Sequence, residues 1–90
     1  MEKQHRFFPN ALRLHRQTLG LTQRQVATLL DLHDSVPISQ WEKGTKLPNA
    51  MNLIKLSLIY HTIPNELYDE LFQDFRETLR LKEFEQFQKA

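Results

Sequence analysis

Thr22-Gln23-Arg24-Gln25-Val26-Ala27-Thr28-Leu29-Leu30, a polar turn over residues 31–37, and Ile38-Ser39-Gln40-Trp41-Glu42-Lys43-Gly44 read as two short helices joined end to end. Thr22 has the side chain of an N-cap. Gln25, three residues on, can return a bond to the Thr22 amide, which is the capping-box spacing. Val26, Ala27, Leu29 and Leu30 give the first helix an apolar stripe. In the second, Ile38 and Trp41 share a face, while Ser39, Gln40 and Lys43 lie off it. A helix of about two turns is unstable alone. Its apolar face must therefore be held by the rest of the chain while its polar face meets water or a ligand.

The flanking sequence supplies that support. Residues 9–19 form a first helix that Pro9 or Asn10 can start and Gly20 can end. Its inner stripe is Ala11, Leu12, Leu14 or His15, and Leu19. Leu21 precedes the Thr22 cap and suits a hydrophobic staple. Leu32 is the apolar residue of the turn and plugs the core. Pro37 fits the first turn of the third helix, because first-turn amides have no intrahelical partner. The residue before a proline resists helical dihedrals, so that helix starts within residues 35–37. Gly44 closes it.

Asn49 caps a fourth helix to about Tyr60, with Met51, Leu53 or Ile54, Leu56, Leu58 and Ile59 as its apolar content. Residues 61–63 are a break, with Thr62 placed to cap. A last helix runs from about Pro64 into the 80s, marked by Leu67, Tyr68, Leu71, Phe72, Phe75 and Leu79 at helical spacing. No strand-period segment and no internal repeat interrupts this series. The class is all-α with five helices, the last extended.

Bulk properties narrow the function. Ninety residues make one small domain near the lower limit of what its own core can hold together. There is no cysteine, which removes disulfides and thiolate metal sites and fits a reducing cytosol. Residues 1–9 lack an apolar h-region, so no signal peptide is expected, and no apolar run reaches a membrane span of roughly 18 residues. We expect a cytoplasmic protein. Net charge is only +1, but it is unevenly distributed. Residues 1–60 carry eight basic and four acidic side chains, and residues 61–90 carry four basic and seven acidic. A basic body suits phosphate, while an acidic tail points to another task.

His5, His15, His33 and His61 have no ligand spacing, so no metal is expected, and no cofactor either. No nucleophile–base pair, glycine-rich phosphate loop or paired carboxylates stand out, which argues against an enzyme.

Leu19-Gly20-Leu21-Thr22-Gln23, Val26-Ala27, Leu30, Ile38-Ser39-Gln40-Trp41-Glu42-Lys43-Gly44 and Leu47-Pro48 together resemble the phage repressor and Cro type of helix-turn-helix domain, the Xre family. The resemblance covers roughly residues 10–70. It implies a lambda-repressor-like bundle of five helices, with the second and third forming the helix-turn-helix. It also implies sequence-specific binding of double-stranded DNA by a two-fold dimer that regulates transcription. Two departures stand out. Asp31 occupies the usual glycine position after the second helix, and the turn to Ile38 is one residue longer than the commonest form.

Carried over by position, the resemblance makes Ser39 and Gln40 the foremost base-edge residues, followed by Ser35 and Val36. A glutamine amide can pair in bidentate fashion with adenine, and a valine can pack on a thymine methyl. Gln23 matches a phosphate-anchoring glutamine. Arg24, Lys43, Thr45 and Lys46 are further phosphate candidates that would position without reading sequence. Arg13, Lys55 and His33 are weaker ones. Arg16 and Glu42 match a structural ion pair, and Trp41 is assigned to the core.

Residues 1–9 read as an N-terminal arm, 10–70 as the DNA-binding domain, and 71–90 as a helical extension. Leu67, Leu71 and Phe75 should cover the core. Tyr68, Phe72, Leu79, Phe84 and Phe87 are left for a partner surface. A homodimeric repressor occluding a palindromic operator is the leading expectation. The alternatives are an antitoxin that holds DNA and a toxin, with a protein partner on the extension, and an interaction bundle that binds no DNA.

Overall fold

The computed structural model describes residues 5–87. Over that span the chain forms α1 (Leu12–Thr18), α2 (Gln23–Leu29), α3 (Val36–Lys43), α4 (Ala50–Ile59), α5 (Pro64–Leu67) and α6 (Asp69–Phe87), with no strand among the described residues. The cores of the helices follow the sequence pattern, and their ends are set by identifiable caps. Thr22 Oγ1 accepts from the Gln25 amide while Gln25 Oε1 accepts from the Thr22 amide, so the capping box is complete. Asn49 Oδ1 accepts from the Asn52 amide at the start of α4. Before α3, Asp34 Oδ1 accepts from the Val36 amide, and Gly44 ends that helix in the left-handed region. Asp31 also adopts a left-handed φ of 57°, a conformation that aspartate tolerates better than most residues.

α1 begins later than expected because the residues before it are committed elsewhere. Asn10 Oδ1 accepts from the Leu12 amide, and its Nδ2 donates to the carbonyls of Phe8, Trp41 and Glu42. The Ala11 amide donates to Leu67 O at 2.9 Å. The Phe8 amide donates to Gly44 O at 2.8 Å. This strap passes so close to the end of α3 that a Cβ on Gly44 would lie 2.5 Å from Phe8 O. Further along the same segment, the His5 ring sits 3.2 Å from Asp74 of α6.

One core unites the elements. It contains Leu12, Val26, Ala27, Leu30, Ile38, Trp41, Leu56, Tyr60, Leu67, Tyr68 and Leu71, with Leu21, Leu32 and Leu53 packed against it. Several residues read as apolar stripe are outside it. Leu14, Leu29, Met51, Ile54 and Leu58 are exposed, because helices this short can turn only about half their circumference inward.

The stretch expected as one last helix is broken. Tyr68 leaves helical dihedrals at φ −130° and ψ 46°, which separates α5 from α6. The break turns Tyr68 out of the phase of a single helix, and two expectations are corrected in this region. Tyr68, assigned to the partner surface, turns inward and is only 3% exposed. Phe75, assigned to the core, is 39% exposed and lines an open apolar groove with Leu47, Pro48 and Leu53. Thr62 is not the cap of α5 either. That place falls to Ile63, and the Thr62 hydroxyl donates to Glu66. The burial of Tyr68 and Tyr60 holds both phenols protonated, pushing each up to about 12. Neither hydroxyl finds a hydrogen-bond partner among the described residues.

Candidate nucleic-acid interface

α3 is anchored from three directions. Its inner face is fixed by Ile38, at 1% exposure, and Trp41. Its C-terminal turn is held by the Asn10 amide and by the Phe8–Gly44 bond. Between these lies Glu42, whose side chain is 4% exposed. Arg16 of α1 grips it with two bonds, Nε to Oε2 at 2.6 Å and NH2 to Oε1 at 3.1 Å. Gln23 of α2 donates its amide to the same Oε1 at 3.0 Å. The remaining Arg16 nitrogen donates to Leu21 O. One carboxylate therefore ties α1, α2 and α3 together. Its bond to Arg16 holds that guanidinium's pKa above its ordinary value despite the opposing effect of burial.

With the inner face fixed, the outer one carries the polar residues. Ser35, Ser39 and Gln40 are half-buried, Val36 is 54% exposed, and Lys43, Thr45 and Lys46 are exposed. The Thr45 amide and hydroxyl both donate to Gln40 O, so the chain after Gly44 folds back along the helix end. Arg24 is exposed on α2 and Lys55 on α4, each on a different element from the α3 set. Arg13, Gln23, Ser39 and Lys43 share a polar hollow of about 330 Å³ with the Arg16–Glu42 pair at its base. Gln23 thus enters the hollow already bonded through one amide hydrogen. Its second amide hydrogen stays available.

Sequence reasoning missed the role of Asn10, which was read only as a helix start. A side-chain amide offers two donors and an acceptor, but nothing in the local pattern shows that helix 3 carbonyls lie beside it.

A family model described as helix-turn-helix matches residues 12–64. The chain belongs to the lambda-repressor-like, Xre helix-turn-helix family. Members of this family are DNA-binding transcriptional regulators and are not typically enzymes. The matched span begins with α1 and ends as α5 starts, so α6 lies outside it. Neither curated proteins nor solved structures gave a match. No helix among the described residues of this helix-turn-helix protein is long and apolar enough to cross a membrane.

Proposed function

We propose that the chain is a cytoplasmic, homodimeric repressor that occludes a palindromic operator. Residues 10–70 would form the DNA-binding unit and 71–90 the extension that pairs the subunits. The observation that carries this reading is the two-sided character of α3. One side is locked into the core by Ile38 and Trp41, and the other offers Ser35, Val36, Ser39 and Gln40 to the major groove. Gln40 reads an adenine edge, and Ser39, Ser35 and Val36 contact neighbouring bases. Gln23, Arg24, Lys43, Thr45 and Lys46 hold the phosphates on either side. The Arg16–Glu42 pair serves structure. It neutralises the one carboxylate that would otherwise face the phosphates from the end of α3.

Selection of bound sequences from random duplexes, followed by titration of the winner, tests this. Gln40→Ala should cost about 1–3 kcal/mol at one base position and relax selectivity there. Lys43→Ala should weaken binding to every sequence and lower the salt slope by about one phosphate. Unchanged selectivity in Gln40→Ala would refute the assignment of the reading helix. Absence of any salt-dependent affinity would favour an interaction bundle instead. A toxin partner on α6 is a second reading, supported by the exposed apolar residues at its far end.

A further inference from the structure

α6 presents two different sides. Leu71 and Thr78 are buried on one of them. About a third of a turn away run Phe72, Arg76, Leu79, Glu83 and Phe87, spaced four, three, four and four residues apart and all exposed. Fifteen residues in four steps stay close to the 3.6-residue period of the helix, so these five side chains share one face. The upper part of the seam also borders an apolar groove of about 390 Å³ that Leu47, Pro48 and Leu53 close from the opposite wall. Over residues 80–87 every side chain is exposed, including Phe87 at 80%. Two helical turns with no cover have little stability of their own.

The order of residues along the seam indicates what covers it. Reading α6 forward from Phe72 and backward from Phe87 gives matching or complementary residues at the outer positions of the seam. Phe72 stands opposite Phe87, and Arg76 opposite Glu83, about a midpoint between Leu79 and Arg80. Only an antiparallel partner of the same sequence uses that symmetry fully. In this register a two-fold axis crosses the midpoint, so each contact occurs twice. Arg76 of each copy meets Glu83 of the other, the Phe72 and Phe87 rings close both ends, and the two Leu79 side chains meet at the centre. The antiparallel arrangement also sets opposite helix dipole ends side by side.

We propose that α6 pairs antiparallel with α6 of a second copy in this one register, with reciprocal Arg76–Glu83 ion pairs. The proposal rests on the dimeric reading given above and specifies its interface.

Charge reversal tests it in the intact chain. Arg76 and Glu83 are both exposed, so neither substitution disturbs the core. Sedimentation equilibrium over a concentration series should show Arg76→Glu and Glu83→Arg each raising the dimer Kd by about 10- to 100-fold. The double variant, Arg76→Glu with Glu83→Arg, should return to within about threefold of the unmodified protein. Circular dichroism at the same concentrations verifies that each variant is folded. A dimer unaffected by the single variants overturns the register but leaves the dimeric repressor standing on another surface, such as the exposed row Met51, Ile54 and Leu58 of α4. Single variants that dissociate without rescue by the double one overturn self-pairing, since a partner of different sequence cannot be restored by a swap within this chain. A wild-type chain that stays monomeric overturns both readings.

Discussion

Along α3, from Val36 to Lys43, the uncovered side is polar apart from Val36, and the opposite side and C-terminal turn are held by Ile38, Trp41 and the bonds to Glu42 and Gly44. Along residues 80–87 of α6 the uncovered surface includes Leu81, Phe84 and Phe87, and no other element among the described residues supports it. On the proposed reading, the first helix is pre-set for a ligand with hydrogen-bonding edges and phosphates. On the same reading, the second would gain its support from a second copy. The contrast follows from physical cost. A base-reading surface loses selectivity if its side chains wander, so rigidity must come before binding. A protein-pairing surface can gain order and affinity in the same step.

The strongest way to break this contrast is to loosen α3. Glu42→Ala removes the carboxylate shared by Arg16 and Gln23 and leaves a guanidinium that is 11% exposed without its partner. A buried pair broken on one side typically costs about 3–5 kcal/mol, which urea denaturation would read directly. A cost under about 1 kcal/mol would mean that Ile38, Trp41 and the Asn10 and Phe8 bonds position α3 without the carboxylate.

Next come the two glycines, which separate backbone strain from contact. Both adopt left-handed φ, at 70° for Gly20 and 79° for Gly44. Alanine should cost about 1–2 kcal/mol at either for that conformation. Gly20 has nothing within 4 Å of the added Cβ, whereas Gly44 has Phe8 O at 2.5 Å. Gly44→Ala should therefore be the more damaging by thermal melting, and it should release the strap from α3. Equal losses at the two sites would remove the strap from the account of how α3 is fixed.

The buried phenols give a pH test of the core behind α3. Tyr60 and Tyr68 are the only tyrosines, so alkaline absorbance reports on these two alone. Desolvation raises each from 10.0 to about 12, and for Tyr60 the nearby Glu42 adds to the rise. A raised folded value means that their contribution to stability is complete below pH 10 and is lost between about 10 and 12. Unfolding should accompany tyrosinate formation in that interval, with stability flat with respect to these groups at neutral pH. Ordinary titration near 10 in a protein still folded would show that the core admits water.

Much of this was legible in the residues. Thr22 and Gln25 announce their cap by spacing, Gly44 its helix end, and Ile38 and Trp41 their shared face. All of these depend on neighbours within four positions. What escaped depends on distant ones. The Asn10 amide finds Trp41 and Glu42 carbonyls more than thirty residues away. The break at Tyr68 gave no proline or glycine signal, and a single residue outside helical dihedrals turned Tyr68 inward, while Phe75, one turn past Leu71, borders an open groove. Periodicity assigns faces only as far as the helix is continuous. Past Tyr68 the pattern had to be read again from Asp69 onward. Read that way, the seam from Phe72 to Phe87 emerges as one line.

The smallest expected effect sharpens the comparison from the α6 side. Phe87 is 80% exposed, so Phe87→Ser removes almost no burial from the isolated subunit. Its stability, measured at concentrations where the subunits are apart, should stay within about 0.5 kcal/mol of the unmodified protein. The corresponding change at Trp41, 7% exposed on the inner face of α3, would cost several times more, because an aromatic side chain lost from a core costs about 3–5 kcal/mol. At higher concentration Phe87→Ser should nevertheless weaken dimerisation, and with it the affinity for a two-half-site operator, while leaving affinity for a single half-site unchanged. A measurable loss of stability in the separated subunit would show that Phe87 folds back on its own domain. In that case the far end of α6 would be part of the scaffold rather than a surface held ready for a second copy.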